Sequence, residues 1–427
     1  MTNSALSATS ATLSPARIRL ALLALALGGF GIGATEFVAM GLLPEIGRDL
    51  LPGLAASDPD AANAQAGWLI SAYALGVVVG APTIAAAAAK WPRKRLLLVL
   101  LAWFTVGTVA SALLPSFGLV LVARFVAALP HGAYFGIASL VAASLMGPGK
   151  RARGVALVLS GLTIANVVGV PTITWLGQQA GWRTAYLAVA AIFALALLAV
   201  LATVPFQAGD KTATVRNELR AFGRLQVWFA IAIGAIGFGG FFAVYSYVSP
   251  MATEVAGLDA SVVPWVLVSA GLGMTVGNLV GGRIADRSVR RSMYAMFGLL
   301  AASLVALGLS ASTAVGIFAG VFLVGLAASA LSPTIQVRLM DVAGDSQSIA
   351  AALNHSALNI GNSIGAALGG VAIAAGLGYV APVWIGLGLT AAGSILAVST
   401  FAIDRSRRAR GQHVVSTTTS MHAVEVR

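Results

Sequence analysis

Long apolar runs, broken by short polar stretches, recur from one end of this chain to the other. A helix rises 1.5 Å per residue and a bilayer core is about 30 Å thick, so about 20 apolar residues cross it. Runs of that kind fall near 18–43, 67–89, 96–114, 118–146, 154–176 and 183–205. After a polar connection at 207–224 they resume near 225–250, 262–285, 292–311, 314–339, 348–376 and 379–403. The pattern predicts an all-α polytopic membrane protein with twelve transmembrane helices. A six-helix half at 1–206 is joined by the 207–224 linker to a second at 225–404, and 405–427 forms a tail. The Ser/Thr/Ala-rich stretch before Arg17 reads as a short polar tail. Ile18 to Leu43 is too long for a signal-peptide core and holds Glu36, so it reads as a retained span.

Composition agrees with the bilayer as main solvent. Of the residues, 58% are hydrophobic and 9% charged, against about 25% charged in soluble domains. The net charge of +12 is placed by topology. Of 26 Lys and Arg, 23 lie in the tails and in alternate connections, among them Lys90, Arg93, Lys94, Lys150, Lys211, Arg220 and Arg287. The other connections hold Arg48 and Arg183, and Arg124 is within a helix. By the positive-inside rule both termini are cytoplasmic. The connections 44–66, 116–117, 177–182 and 251–261 then face outward, and no nucleic-acid partner is implied. Cysteine is absent and there are four histidines, two of them in the tail. No metal site, cofactor or cysteine nucleophile is expected, and an enzyme reading lacks the cluster of reactive groups it needs.

The chain repeats itself. A shift of 197 lays Trp68, Leu75, Gly76, Val79 and Gly80 on Trp265, Leu272, Gly273, Val276 and Gly277, and Lys90, Arg93 and Lys94 on Arg287, Arg290 and Arg291. A shift of 196 pairs Ile164, Asn166 and Gly169 with Ile360, Asn362 and Gly365. Two six-helix units in the same orientation are the parallel repeats of one class of secondary transporters.

Ionisable groups deep in a span are costly and mark function by default. Glu36 and Arg124 lie at matched depth, each about seven residues (on the order of 10 Å) from the outer end of its helix. His131 follows Arg124 by seven residues, on the same face and deeper. An arginine favours an ionised carboxylate and an apolar cavity a protonated one. Making and breaking a Glu36–Arg124 pair would load and release a proton; a static brace between helices is the plainer alternative. A lone His131 could couple protons or simply bond a neighbour. Phe37, Tyr73, Tyr134, Phe241 and Tyr245 are candidates to line a substrate cavity. Asn166 and Asn362, polar and equivalent by the repeat, are candidates to face it. Gly169 and its neighbours permit close helix packing, and Pro171 should bend its helix. The basic loop from Gly281 to Arg291 combines Gly282, Asp286, Arg287, Arg290 and Arg291.

Together these residues resemble the major facilitator superfamily. GRIADRSVRR (282–291) is similar to its signature loop, here between the eighth and ninth spans, and the first-half copy carries Ala89 in place of the aspartate. LVARFVAALPHGAYFG (121–136) is similar to the fourth-helix motif with its embedded arginine. Residues 161–177 resemble the antiporter motif, with Val170-Pro171 where Gly-Pro is usual. GATEFVAMGLLPEI (33–46) and NHSALNIGNSIGAALGG (354–370) resemble the twelve-helix drug:proton antiporter branch, near the sugar, chloramphenicol and purine efflux permeases. The resemblance implies a monomeric proton-coupled efflux antiporter of the bacterial plasma membrane that exports a drug, sugar or nucleobase-like molecule, with Glu36 and Arg124 in coupling. A proton-coupled importer of a small nutrient is the alternative.

Overall fold

The computed structural model describes residues 14–88, 91–146, 151–208, 223–343 and 347–409. Among these, twelve helices are long and apolar enough to cross a membrane. They are α1 (Pro15–Gly41), α2 (Pro59–Ile84), α3 (Arg93–Leu113), α4 (Phe117–Met146), α5 (Gly154–Ala180) and α6 (Trp182–Thr203), followed by α7 (Leu225–Tyr245), α8 (Ala260–Ala285), α9 (Val289–Ser310), α10 (Ala314–Val342), α11 (Leu353–Ala374) and α12 (Ala381–Arg405). Helices are the answer a bilayer allows, because each satisfies its own backbone. Most of the linker, Ala89, and Lys90 lie outside the described residues.

Two local expectations are corrected, and the distortion expected at Pro171 takes a specific form. The 44–66 stretch is not a plain loop: Leu43–Leu50 and Pro52–Ser57 are short helices and Pro59–Ala66 is the first part of α2, each with proline in its first turn, where a missing N–H costs nothing. Polar Asp60, Asn63 and Gln65 disguised the last as loop. The basic segment after Gly281 is helical too, its helix running on to Arg287. The chain turns only at Ser288, whose side chain accepts from the Arg291 N–H and caps α9. Pro171 is preceded by a single π-helical turn, Ala165–Gly169. The proline offers no N–H to the turn before it, and one widened turn takes up the mismatch.

The two halves are packed alike. In the first, α1 lies against α5 and α6, α2 against α4, and α3 against α4 and α6; six helices later, α7 lies against α11 and α12, α8 against α10, and α9 against α10 and α12. The likeness reaches single atoms. A Cβ on Gly76 or Gly80 would meet the carbonyl oxygens of Phe125 or Leu129, and one on Gly273 or Gly277 those of Phe322 or Leu326. These partners are related by the same shift of 197, and glycine lets the backbones touch.

The halves meet through α2 against α11 and α5 against α8. Those contacts sit at the charge-poor end. Ser71 Oγ donates to the Ser363 carbonyl at 3.2 Å, and Gln178 Nε2 to the Ala260 carbonyl at 2.8 Å. Asn63 Nδ2 donates to the Tyr379 hydroxyl at 2.7 Å, which in turn donates to Asp60 Oδ1 at 2.7 Å. Burial, reinforced by the Asp60 carboxylate, pushes the Tyr379 phenol up, so it remains a donor. At the arginine-rich end the polar ties among the described residues run within each half, for example Lys94 Nζ to the Leu201 carbonyl at 2.8 Å, and Arg338 to Asp404 at 2.6 Å. The molecule is closed at the charge-poor end.

Tyr379→Phe removes one hydrogen bond of that closure and strands another, worth about 1 kcal/mol. Opening at the charge-poor end should rise roughly fivefold. The native chain has no cysteine, so a single Leu267→Cys, fully buried at 0% exposure beside Gly41, reports it. Labelling by a membrane-impermeant maleimide in cells should rise severalfold in the Tyr379→Phe background. Equal labelling would show that the tie carries no closing energy.

Candidate functional site

Glu36 sits in the last third of α1, 6% exposed. Arg124 in α4 is 1% exposed, and its surroundings differ from a simple ion pair. Its Nη1 donates to the Thr35 carbonyl at 3.0 Å and to Thr35 Oγ1 at 3.2 Å. The guanidinium lies 4.3 Å over the Tyr73 ring and 5.4 Å over that of Tyr186, where ring quadrupoles attract the cation. Nε and Nη2 have no partner. The ion pairs among the described residues are Arg48–Glu45, Arg183–Asp49 and Arg338–Asp404. Glu36 and Arg124 therefore feel each other's charge without closing to the 4.0 Å of a salt bridge. The residue gripped by the arginine, Thr35, is the chain neighbour of the carboxylate.

The second half brings Asn362 of α11 alongside Glu36. Asn362 is 1% exposed; its amide is near enough to act on the Glu36 carboxyl but closes to hydrogen-bond geometry with no partner. Beside it an aromatic cluster crosses between the halves. Phe37 of α1 stacks on Phe242 of α7 at 6.3 Å and meets the Tyr245 ring edge-on at 5.7 Å. Phe241 stacks on Tyr245 at 5.0 Å, and the Tyr245 hydroxyl has no partner. One turn and more toward the arginine-rich end, His131 lies 3.4 Å from the Tyr73 hydroxyl through Nδ1.

The structure thus gathers Glu36, Arg124, His131, Phe37, Tyr73, Phe241, Tyr245 and Asn362 around one inter-half region. It does not bring in Tyr134, whose hydroxyl donates to the Leu25 carbonyl at 2.8 Å and whose ring packs on Phe104 inside the first half. Asn166 lies in the π-helical turn, buried with Oδ1 unpartnered, its backbone pressed against Gly271 of α8. No group of three or more His, Cys, Asp or Glu that could hold a metal occurs among the described residues.

A sequence model described as the Major Facilitator Superfamily matches residues 25–264 and again 231–422. The chain belongs to that superfamily.

Relatives of this facilitator include the inner membrane transport protein YdhP of Escherichia coli (strain K12), 39% identical over 363 residues, which are 85% of this chain and 91% of that protein. The putative transporter AraJ of the same strain is 34% identical over 363 residues, 84% and 89% of the two chains. The chloramphenicol resistance protein of Streptomyces lividans is 32% identical over 369 residues, 86% and 92%. A crystal structure of a D-xylose-proton symporter superposes with a TM-score of 0.69, covering 90% of this chain and 97% of that one. At 16% identity that likeness speaks for the facilitator fold alone.

In this facilitator the 282–291 segment, expected above to be a conformational motif, runs from the end of α8 into α9. Gly282 has open space where a Cβ would stand. Arg287, Arg290 and Arg291 are exposed, and the Asp286 side chain lies outside the described residues. Gly169 closes the π-helical turn against the Phe30 ring, and Pro171 is buried just beyond it. Sequence reasoning missed Thr35 and Tyr186, which hold Arg124, although Thr35 stands in GATEF beside Glu36. It also missed Arg338, 8% exposed and bonded to Asp404 and, at 3.2 Å, to Gln226 Oε1. A charge near a helix end reads as topology unless its partner, here 66 residues on, is known.

Proposed function

We propose that this membrane transporter is a proton-coupled efflux antiporter of the bacterial inner membrane, with both termini cytoplasmic, working as a monomer by alternating access. The observation that carries the reading is Glu36, an acid buried in a span next to an arginine that it does not bind. Protonated, Glu36 is a neutral neighbour of Arg124; ionised, it can accept from Nε or Nη2, the guanidinium nitrogens that Thr35 leaves free. The equilibrium between the two arrangements is biased by one proton, and the same residues form the floor of the aromatic region between the halves. Substrate there meets the stacked faces of Phe37, Phe241 and Tyr245 and the unfilled hydrogen-bond capacity of Asn362 and the Tyr245 hydroxyl. An apolar lining with few convergent polar groups is the pattern of small-molecule sites. The relatives named for chloramphenicol resistance and inner-membrane transport support export and location.

The test is direction. Inside-out vesicles acidified within should accumulate radiolabelled substrate from a panel of chloramphenicol, arabinose and hypoxanthine, and a protonophore should abolish the gain. Uptake into right-side-out vesicles driven by external acid would instead establish an importer.

A further inference from the structure

Two histidines from opposite halves, one buried and one partly buried, approach each other at the inner limit of the site. The His131 and His355 ring centroids are 6.0 Å apart. Phe135, one turn beyond His131, stacks on His355 at 5.5 Å with 4° between planes and also closes on His131 at 5.5 Å. On its other flank His131 meets the Tyr73 hydroxyl, whose ring supports Arg124. Arg124, His131 and Phe135 recur at helical spacing on one face of α4, and His355, Asn359 and Asn362 do so on one face of α11. The two faces make a column from Glu36 and Asn362, through Tyr73 and His131, to His355 toward the arginine-rich end. His131 is 1% exposed, whereas His355 is only partly buried.

The charge-poor end is shut by the ties described above. A proton leaving Glu36 in this conformation must travel toward the arginine-rich end, and the column is the polar route on that side. Histidine chains of this kind carry protons through spans.

We propose that His355 is the terminal proton carrier of the transporter, an inference that rests on the reading of Glu36 as the coupling acid. The Glu36 carboxyl gives its proton, by way of the Tyr73 hydroxyl or a water, to a ring nitrogen of His131. The His131 imidazolium passes a proton to a free ring nitrogen of His355 and becomes neutral again. His355 releases it to water, leaving Glu36 a carboxylate; one proton has moved and no other bond has changed. Two imidazolium ions this close repel each other in a medium of low dielectric. The pair therefore holds one proton at a time and titrates as a unit. The groups facing His355 are His131 and Phe135 from α4, with the Asn359 amide donating to its backbone carbonyl at 3.0 Å.

The test needs no substrate. Purified full-length protein in detergent is jumped from about pH 5 to about pH 9, and proton release is followed with a pH dye in a stopped-flow instrument. The parent should release a proton that Glu36→Gln lacks. His355→Asn should release it roughly tenfold more slowly or worse, with the amplitude kept, because an amide bonds but does not shuttle protons. Free imidazole at millimolar concentration should restore the rate in His355→Ala, a rescue that a packing role would not show. Phe135→Leu, which removes the stack and leaves both imidazoles, should stay within a fewfold of the parent. Parental kinetics in His355→Asn alongside a lost proton in Glu36→Gln would overturn the relay and leave the coupling acid standing. An undiminished proton in Glu36→Gln would overturn both.

Discussion

Glu36→Gln is expected to abolish proton-driven accumulation, by about a hundredfold or more, while substrate binding and energy-independent exchange persist. Asp341 and Asp404 lie at the arginine-rich ends of their helices, so no described carboxylate at the depth of Glu36 can replace it. The amide keeps the shape and hydrogen-bonding capacity of the acid and removes only the titratable proton. Substrate-induced proton release from purified protein, read with a pH dye for whichever panel compound is transported, is the deciding measurement. Undiminished release would place the coupling acid elsewhere. Arg124→Ala should fail as well, because Thr35 loses its donor and Glu36 its counter-charge. Arg124→Lys should recover part of the activity, having the charge without the planar guanidinium that lies over the Tyr73 ring.

The second large effect is steric. Gly271 of α8 faces the Asn166 carbonyl of α5 across the junction between halves, and any Cβ there would overlap that oxygen. Because the obstacle is backbone, it cannot rotate away. Gly271→Val should hold the halves apart at the charge-poor end and reduce transport to a few per cent or less, with Gly271→Ala intermediate. Thermal unfolding should change little, since the residue lies between two units that each keep their own packing. Gly388→Ala, where a Cβ meets open space, is the control. Normal transport by Gly271→Val would mean that α5 and α8 need not close on each other during the cycle.

What the sequence revealed follows from how harshly a bilayer selects. Twelve spans were legible because each must be apolar for its full length, and the halves because their glycines recur at a constant shift. Glu36 and Arg124 stood out because ionised groups are rare in such surroundings. Side-chain direction was much less legible. Tyr73 and Tyr134 look alike in the sequence, yet one supports the arginine and the other bonds Leu25 inside a half, since a helix that is apolar all round gives no signal of which face looks where. The helical end of α8 was hidden because polar residues there serve headgroups and water, so that helix resembles loop. The grip of Arg124 on Thr35 was hidden because a backbone carbonyl is offered by every residue.

The glycine seams between α2 and α4, and between α8 and α10, carry a mechanical consequence. Backbones in direct contact leave no compressible side chains between them, so each seam acts as a stiff plate rather than a cushion. The α2 helix belongs to such a plate in one half and bears on α11 of the other; α8 does the same against α5. A displacement of a few ångströms where those bearings meet is then delivered with opposite sign at the far end of the same plate, as in a lever about a fixed pivot. On the alternating-access reading proposed above, that stiffness would oppose simultaneous opening to both sides.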